Sequence, residues 1–244
     1  MKFYLCIDDT DNIDSIGTGT IAGYIREHIE AQNWANCTQI TRHQLLIHED
    51  IPYTSHNSSM CFVGELKGDY IDEIRKAAIK IIEEFSAEGS DPGFCLYLQE
   101  NEDEREDKLI QFGREAKEKV LTKDMAYELA KNMGIHLSEH GGTGQGVIGA
   151  LAGVGLRLSG NDGEVKGSLK KITLGEYTVR ELTDLPEIDE IIDLKGNSFS
   201  PDCKVIIESK SKSVHRNYRF ILYVHEENGV LKTYNKKEIR KWES

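Results

Sequence analysis

Asp8, Asp9 and Asp11 place three carboxylates within four residues, in the turn-forming run Asp8-Asp9-Thr10-Asp11-Asn12 that ends the apolar stretch Phe3 to Ile7. Like charges at one turn repel unless a cation sits among them, and all-oxygen donors suit a hard dication such as Mg²⁺, the usual companion of phosphoryl groups. A solvated surface turn is the alternative. Gly17-Thr18-Gly19-Thr20 follows at the start of an apolar-periodic segment. There it offers unhindered amides, the positive end of a helix dipole and two hydroxyls, an anion site beside the carboxylates. A hydroxyl in that position could also accept a phosphoryl group, although Gly-Thr pairs serve equally as ordinary helix caps.

A second glycine turn, Gly141-Gly142-Thr143-Gly144-Gln145-Gly146, runs into the apolar stretch Val147 to Gly155. Gly144, Gly146 and Gly149 match the dinucleotide-binding spacing, but that motif needs a buried strand before it and an acid about twenty residues later on the next strand. Ile135 to His140 is too polar for a central strand, and Glu164 lies in a polar turn. No GxxxxGK[ST] is present. What remains is a phosphate-cradling loop of another type, or close helix packing through Gly149, Gly153 and Gly155. Arg42, His43, Thr54, Ser55, His56, Asn57 and Ser58 gather further donors, and Thr54, His56 and Asn57 would suit a nucleotide or planar substrate. Neither a G-x-S-x-G elbow nor a Cys-His pair supports covalent hydrolase chemistry.

These residues need elements to hold them. Residues 2–7 read as a buried strand, and Ile21, Tyr24, Ile25, His28 and Ile29 predict a helix from about Thr18 to Ala31. Thr38 to Ile47 and Ser59 to Leu66 read as strands, Ile71 to Ile82 as a helix, and Phe94 to Leu98 as a strand after the turn Ser90-Asp91-Pro92-Gly93. The order strand, helix, strand, strand, helix, strand matches a ferredoxin-like βαββαβ core. Helices are predicted over about 103–120 and from Thr122 to Gly134. Beyond residue 160 the texture changes to short alternating runs, 168–174, 204–209 and 218–234, with Asn228-Gly229 marking a hairpin. The expected class is α+β: residues 1–160 as a ferredoxin-like core carrying the metal and phosphate sites of a kinase-like region, and residues 161–244 as a small β-rich module.

Hydrophobic residues make up 39% and charged residues 30% of the 244, with 4 prolines, which excludes a largely disordered chain. No apolar stretch approaches the roughly 18 residues of a membrane span, and no signal peptide is legible. Five scattered cysteines without a CxxC pair give neither a disulfide framework nor a zinc ribbon, so a reduced cytoplasmic setting is expected. With 30 Lys+Arg against 42 Asp+Glu the net charge is −12, which repels polyanions on average. Lys204, Lys210, Lys212, His215, Arg216 and Arg219 form the one dense basic cluster, either a local foothold for nucleic acid or a strand edge protected by lysines.

Four motifs in order, Asp8-Asp9-Thr10-Asp11 with Gly17-x-x-Thr20, Ile51-Pro52-Tyr53-Thr54-x-x-Asn57, Asp91-Pro92-Gly93, and Gly142-x-Gly144-x-Gly146-x-Ile148-Gly149-Ala150-Leu151-Ala152, resemble those of the archaeal tRNA-isoleucine 2-agmatinylcytidine synthetases. The match spans roughly residues 3–157. The resemblance implies Mg²⁺ on Asp8, Asp9 and Asp11, phosphorylation of Thr20, and ATP phosphates on the loop Gly142 to Gly146. It further implies activation of a cytidine at its C2 oxygen before agmatine displaces the phosphate. Here Asn12 to Ile16 lengthens the loop after the aspartates, and nothing past residue 157 matches the family's oligonucleotide-binding fold or zinc ribbon. The reading is therefore an ATP- and Mg²⁺-dependent phosphoryl-transfer or ligase-type enzyme. Its acceptor is an unidentified small molecule or nucleotide, and tRNA is disfavoured by charge. A non-catalytic nucleotide-binding regulatory module is the alternative.

Overall fold

The computed structural model describes residues 1–244 except 50, 52–56, 100–104, 168, 170, 171 and 244. It divides into two compact units, Met1–Ser159 and Gly160–Ser244. It is a mixed α/β structure with seven helices among the described residues, none of them long and apolar enough to cross a membrane.

In the first unit, β1 (Lys2–Asp8) is flanked by β4 (Ser58–Leu66) and β5 (Gly93–Gln99), all antiparallel. β3 (Thr41–Gln44) and the short β2 (Ala35–Cys37) pair with the far side of β4, and β6 (His136–Glu139) forms the other edge against β5. Of the stretch expected as one strand over 38–47 only Thr41–Gln44 is strand, and β2 lies before it. The register against β4 slips by one residue between β2 and β3, and at the break the Thr38 hydroxyl accepts the Val63 amide at 3.1 Å. One extra residue in a ladder is a bulge, which ends regular pairing.

Side-chain alternation along β1 sorts the two faces. Phe3, Leu5 and Ile7 pack with Ile21, Ile25 and Ile29 of α1 (Thr18–Ala31) and Ile74, Ala78 and Ile82 of α2 (Ile71–Phe85). Tyr4 and Cys6 face the other way, toward α3 (Glu106–Glu115), α4 (Lys123–Met133) and α5 (Gly146–Leu158). Cys6 stands opposite Cys61 on β4 and Cys95 on β5, so three free thiols form a row across the sheet, all fully buried. Burial pushes the Cys6 and Cys95 thiols well above their usual range.

Every residue of α5 is buried except the half-buried Ile148, as an all-round apolar helix demands. Its glycines set how closely it lies. A Cβ on Gly146 would collide with the Asp91 carbonyl, one on Gly149 with the Asp8 carboxylate, one on Gly153 with Cys6 Sγ and Ser59 Oγ, and one on Gly155 with the Leu109 carbonyl of α3. The glycine stripe expected to allow close helix packing therefore does so, and it brings the start of α5 onto the end of β1.

The second unit centres on β12 (Arg219–Glu227), which pairs with β11 (Val214–Arg216), β13 (Val230–Thr233) and, in parallel, β9 (Glu190–Ile192). β10 (Lys204–Ile207) joins β13 to β8 (Gly175–Thr178), and β7 (Glu164–Val165) pairs with β11. Asn228 and Gly229, at φ 54° and 79°, make the β12–β13 turn with both central residues left-handed. Of the strand expected over 168–174, residues 168, 170 and 171 lie outside the described residues, and the described remainder is not strand; β8 begins at Gly175. Two helices, α6 (Val179–Thr183) and α7 (Lys236–Glu243), go beyond what the sequence pattern predicts.

Candidate functional site

A cleft in the first unit is lined by Asp8, Asp9 and Asp11 from the end of β1, Thr18 from the start of α1, Gln145, Gly146 and Gly149 at the start of α5, and Asn57 and Lys119 from loops. It lies where β1 runs out, because two helices begin there and the glycines of α5 let that helix approach the strand end. Asp9 takes a left-handed backbone, φ 52°, uncommon outside glycine, which turns the chain sharply between Asp8 and Thr10.

The electrostatics of the aspartates follow from crowding. Asp8 is buried, with α5 laid across it, and burial together with Asp9 and Asp11 pushes its carboxyl well above the usual range. Burial, then Asp91, then Asp11 push Asp9 up to about 6. Asp11 is engaged differently: Thr18 Oγ1 donates to its Oδ1 at 2.8 Å, while Thr10 Oγ1, 3.1 Å from Thr18 Oγ1, donates to that hydroxyl. Thr18 is thus a buried hydroxyl held between a donor and a carboxylate acceptor. Thr20, two residues further round the helix, is half-buried and does not line the cleft, and its amide donates to the Gly17 carbonyl at 2.7 Å. Gly17 is the helix N-cap and Gly19 is buried behind it.

Among the described residues no three His, Cys, Asp or Glu side chains converge as a ligand set. The donor chemistry still fits Mg²⁺: all oxygens, two carboxyls whose pKa values are raised by burial and neighbouring like charge, and a cation that needs only one or two carboxylates beside water and phosphate.

The second glycine loop is organised around an internal anion. Gly142 and Gly144 have φ 54° and 75°, and the amide of Thr143 and that of Gly144, the latter at 3.3 Å, donate to Asp91 Oδ1. Thr143 Oγ1 donates to Asp91 Oδ2 at 2.8 Å, and Gly146 N to the Asp91 carbonyl at 3.1 Å. Gln145 and Gly146 line the cleft, whereas Gly142 and Thr143 are exposed. Asn57 spends its side-chain amide on the Leu46 carbonyl at 2.6 Å, so it shapes the cleft wall. Thr54 and His56 lie outside the described residues.

The chain is similar to TiaS, a tRNA agmatidine synthetase. The crystal structure of apo TiaS shares 25% identity at a TM-score of 0.53 over 77% of this chain and 39% of that one. The complex of TiaS with an isoleucine tRNA and ATP shares 26% at 0.54 over 64% and 36%, and a tRNA fluorescent labeling enzyme 27% at 0.54 over the same shares. This chain therefore spans between a third and two fifths of the length of those structures. No protein-family model and no curated protein matches it.

The sequence pattern assigns no chemical role to two residues of the site: Asp91, legible only as a turn former and as part of a motif, and Lys119, an exposed lysine in a charged run. The basic cluster of the second unit proves largely spent. Lys204 pairs with Glu176 at 2.6 Å, Lys212 with Glu164 at 2.7 Å and Arg219 with Glu190 at 3.1 Å, while His215 is buried.

Proposed function

We propose that the chain is an ATP-using phosphoryl-transfer enzyme of the agmatidine-synthetase type, with its chemistry in the cleft at the end of β1. The observation that carries this reading is the Thr18 hydroxyl, 2.8 Å from the Asp11 carboxylate and beside Asp8 and Asp9. A hydroxyl becomes a competent nucleophile when a carboxylate within hydrogen-bond reach can take its proton. Thr18 Oγ1 attacks the γ-phosphorus, the bond to the β-phosphate oxygen breaks, Asp11 receives the proton and ADP departs. Asp8 and Asp9 would hold Mg²⁺, with Asp11 at its border; bound there, the dication would draw off charge from the phosphates. The strand-order pattern β5-β1-β4-β3 with α1 and α2 on one face supports the ferredoxin-like reading of this core.

Thr20 is the residue the resemblance carries over as phosphoryl acceptor, and Thr18 is the one its surroundings favour. Incubation with γ-labelled ATP and Mg²⁺, followed by peptide mapping, tests both. Label on Thr18, lost in Thr18→Ala and retained in Thr20→Ala, is expected. Label on Thr20 would return the role to the residue carried over, and no label on either would remove the covalent step. The solved TiaS complexes hold an isoleucine tRNA with ATP, or with AMPCPP and agmatine, and these ligands identify the assay set: ATP hydrolysis with and without agmatine and tRNA transcripts.

A further inference from the structure

The segment Ser90-Asp91-Pro92-Gly93 and the loop Gly141 to Gly146 interlock from side chain to backbone. Beside the three donors on the Asp91 carboxylate, His140 N donates to the Pro92 carbonyl at 2.9 Å and Gly146 N to that of Asp91 at 3.1 Å. A Cβ on Gly142 would strike Asp91 Oδ1 and the Ser90 carbonyl, and one on Gly93 would strike the backbone of Gly146. From the outer side Lys123 Nζ donates to the Thr143 carbonyl at 2.7 Å and to Glu139 Oε2 at 2.9 Å, and Tyr127 donates to Glu139 Oε1 at 2.7 Å. The loop is gripped on two sides, and its inner grip is the Asp91 carboxylate together with the main-chain carbonyls of Asp91 and Pro92.

Successive amides aimed at one point form an anion nest. In this chain the nest of Thr143 and Gly144 closes on a side chain of the protein itself. We infer that Asp91 is a positioning residue for the cleft: its carboxylate fills the nest and holds Thr143 and Gly144, its main-chain carbonyl takes the Gly146 amide, and the loop so held carries Gln145 and Gly146 into the cleft wall and seats the first turn of α5 over Asp8. Positioning through prepaid hydrogen bonds is how groups away from the chemistry set its geometry. Its negative charge also faces Asp9, so the brace and the carboxylate cluster are electrostatically joined. This inference rests on the phosphoryl-transfer reading for its functional consequence and on the loop geometry for its structural one.

The test reads the two separately in the whole chain. Hydrogen exchange of the Thr143 and Gly144 amides, without nucleotide, should quicken at least tenfold in Asp91→Ala and recover in part in Asp91→Asn, which keeps an acceptor oxygen at Oδ1. Calorimetry with ATP and Mg²⁺ should show affinity at least tenfold weaker in Asp91→Ala, with partial rescue in Asp91→Asn and a melting temperature within a few degrees of wild type. Thr143→Ala, which removes one of the three donors, should fall between, and it serves if Asp91→Ala does not fold. Unchanged exchange in Asp91→Ala overturns the brace, as does a loosened loop that binds ATP as wild type does. Wild-type protein that binds no ATP would defeat the phosphoryl-transfer reading while the exchange comparison still decides what Asp91 holds.

Discussion

Gly149→Ala adds one methyl group at the point where α5 rests on Asp8, and a Cβ there has no room beside the Asp8 carboxylate and approaches Leu45 Cδ1 at 3.0 Å. Alanine is the better helix former by about 1 kcal/mol, whereas forcing a methyl into a packed interface costs about 2.5 kcal/mol when neighbours cannot yield. Asp8 can yield only a little, since it is 7% exposed. The expected net is a loss of about 1.5 kcal/mol, or roughly 3 to 6 °C in Tm for a unit of this size. Displacing the carboxylate should also weaken Mg²⁺-dependent ATP binding at least tenfold, about 1.4 kcal/mol. Gly153→Ala is the control, because one turn on the new methyl meets Cys6 Sγ and Ser59 Oγ instead. Calorimetry should find a similar stability loss in Gly153→Ala with ATP affinity within twofold of wild type. Gly149→Ala protein that melts at or above wild type and binds ATP normally would refute the packing of α5 on Asp8.

A carboxyl held near 6 when folded, against an ordinary 3.8, favours the protonated folded state. The metal-free protein should therefore lose stability as pH rises from about 4 to 6 and stay lower above. The full difference is worth about 3 kcal/mol, and the partial exposure of Asp9 cuts it to about 1.5. Melting curves should show this decline flattened in Asp9→Asn, and Mg²⁺ at pH 7.5 should restore wild type alone; a decline of equal size in Asp9→Asn contradicts the assignment. In the second unit Lys212→Met removes the 2.7 Å ion pair to Glu164, whose side chain is 2% exposed. Urea unfolding should reveal a loss of about 3 kcal/mol, with at least half recovered in Lys212→Met/Glu164→Gln. Because Lys204, Lys212 and Arg219 are already paired with carboxylates, filter binding of total tRNA at about 0.15 M salt should be weaker than about 10 μM. Submicromolar binding would show a basic surface that these pairs do not supply.

The sequence was most readable where a local pattern and its tertiary role coincide. The apolar run into Asp8 had nowhere to go but a buried strand, Ile21, Ile25 and Ile29 could share only one helix face, and Asn228-Gly229 supports the left-handed pair a tight hairpin needs. Reading failed where the deciding partner is distant. His136 to Glu139 is polar because it is an edge strand, a placement set by pairing with β5 and invisible in its own composition. The bulge at Thr38 depends on the opposite residue Val63. Asp91 looks like any turn aspartate until the loop 52 residues later folds onto it. The glycines of 141–155 were legible as a demand for close approach, but whether a ligand or the chain itself makes that approach differs from one glycine to the next: Gly146, Gly149 and Gly153 meet the sheet, and Gly155 meets α3.

The row of Cys6, Cys61 and Cys95 beneath α5 makes the first unit its own unfolding clock. An alkylating reagent attacks thiolates, and these three sulfurs are shut away from solvent while the helix stays docked, with ionisation of Cys6 and Cys95 further opposed by burial. Cys37, only half-buried, has its thiol pushed up to about 12, so it too reacts slowly near neutral pH. Cys203, half-buried in the other unit, remains as the internal reference for reagent exposure. A short alkylation pulse followed by mass spectrometry would therefore count how often α5 lifts from the sheet, three sites reporting one opening. A ligand that tightens the cleft should slow all three together, which turns an unmodified wild-type chain into a binding sensor without any added probe.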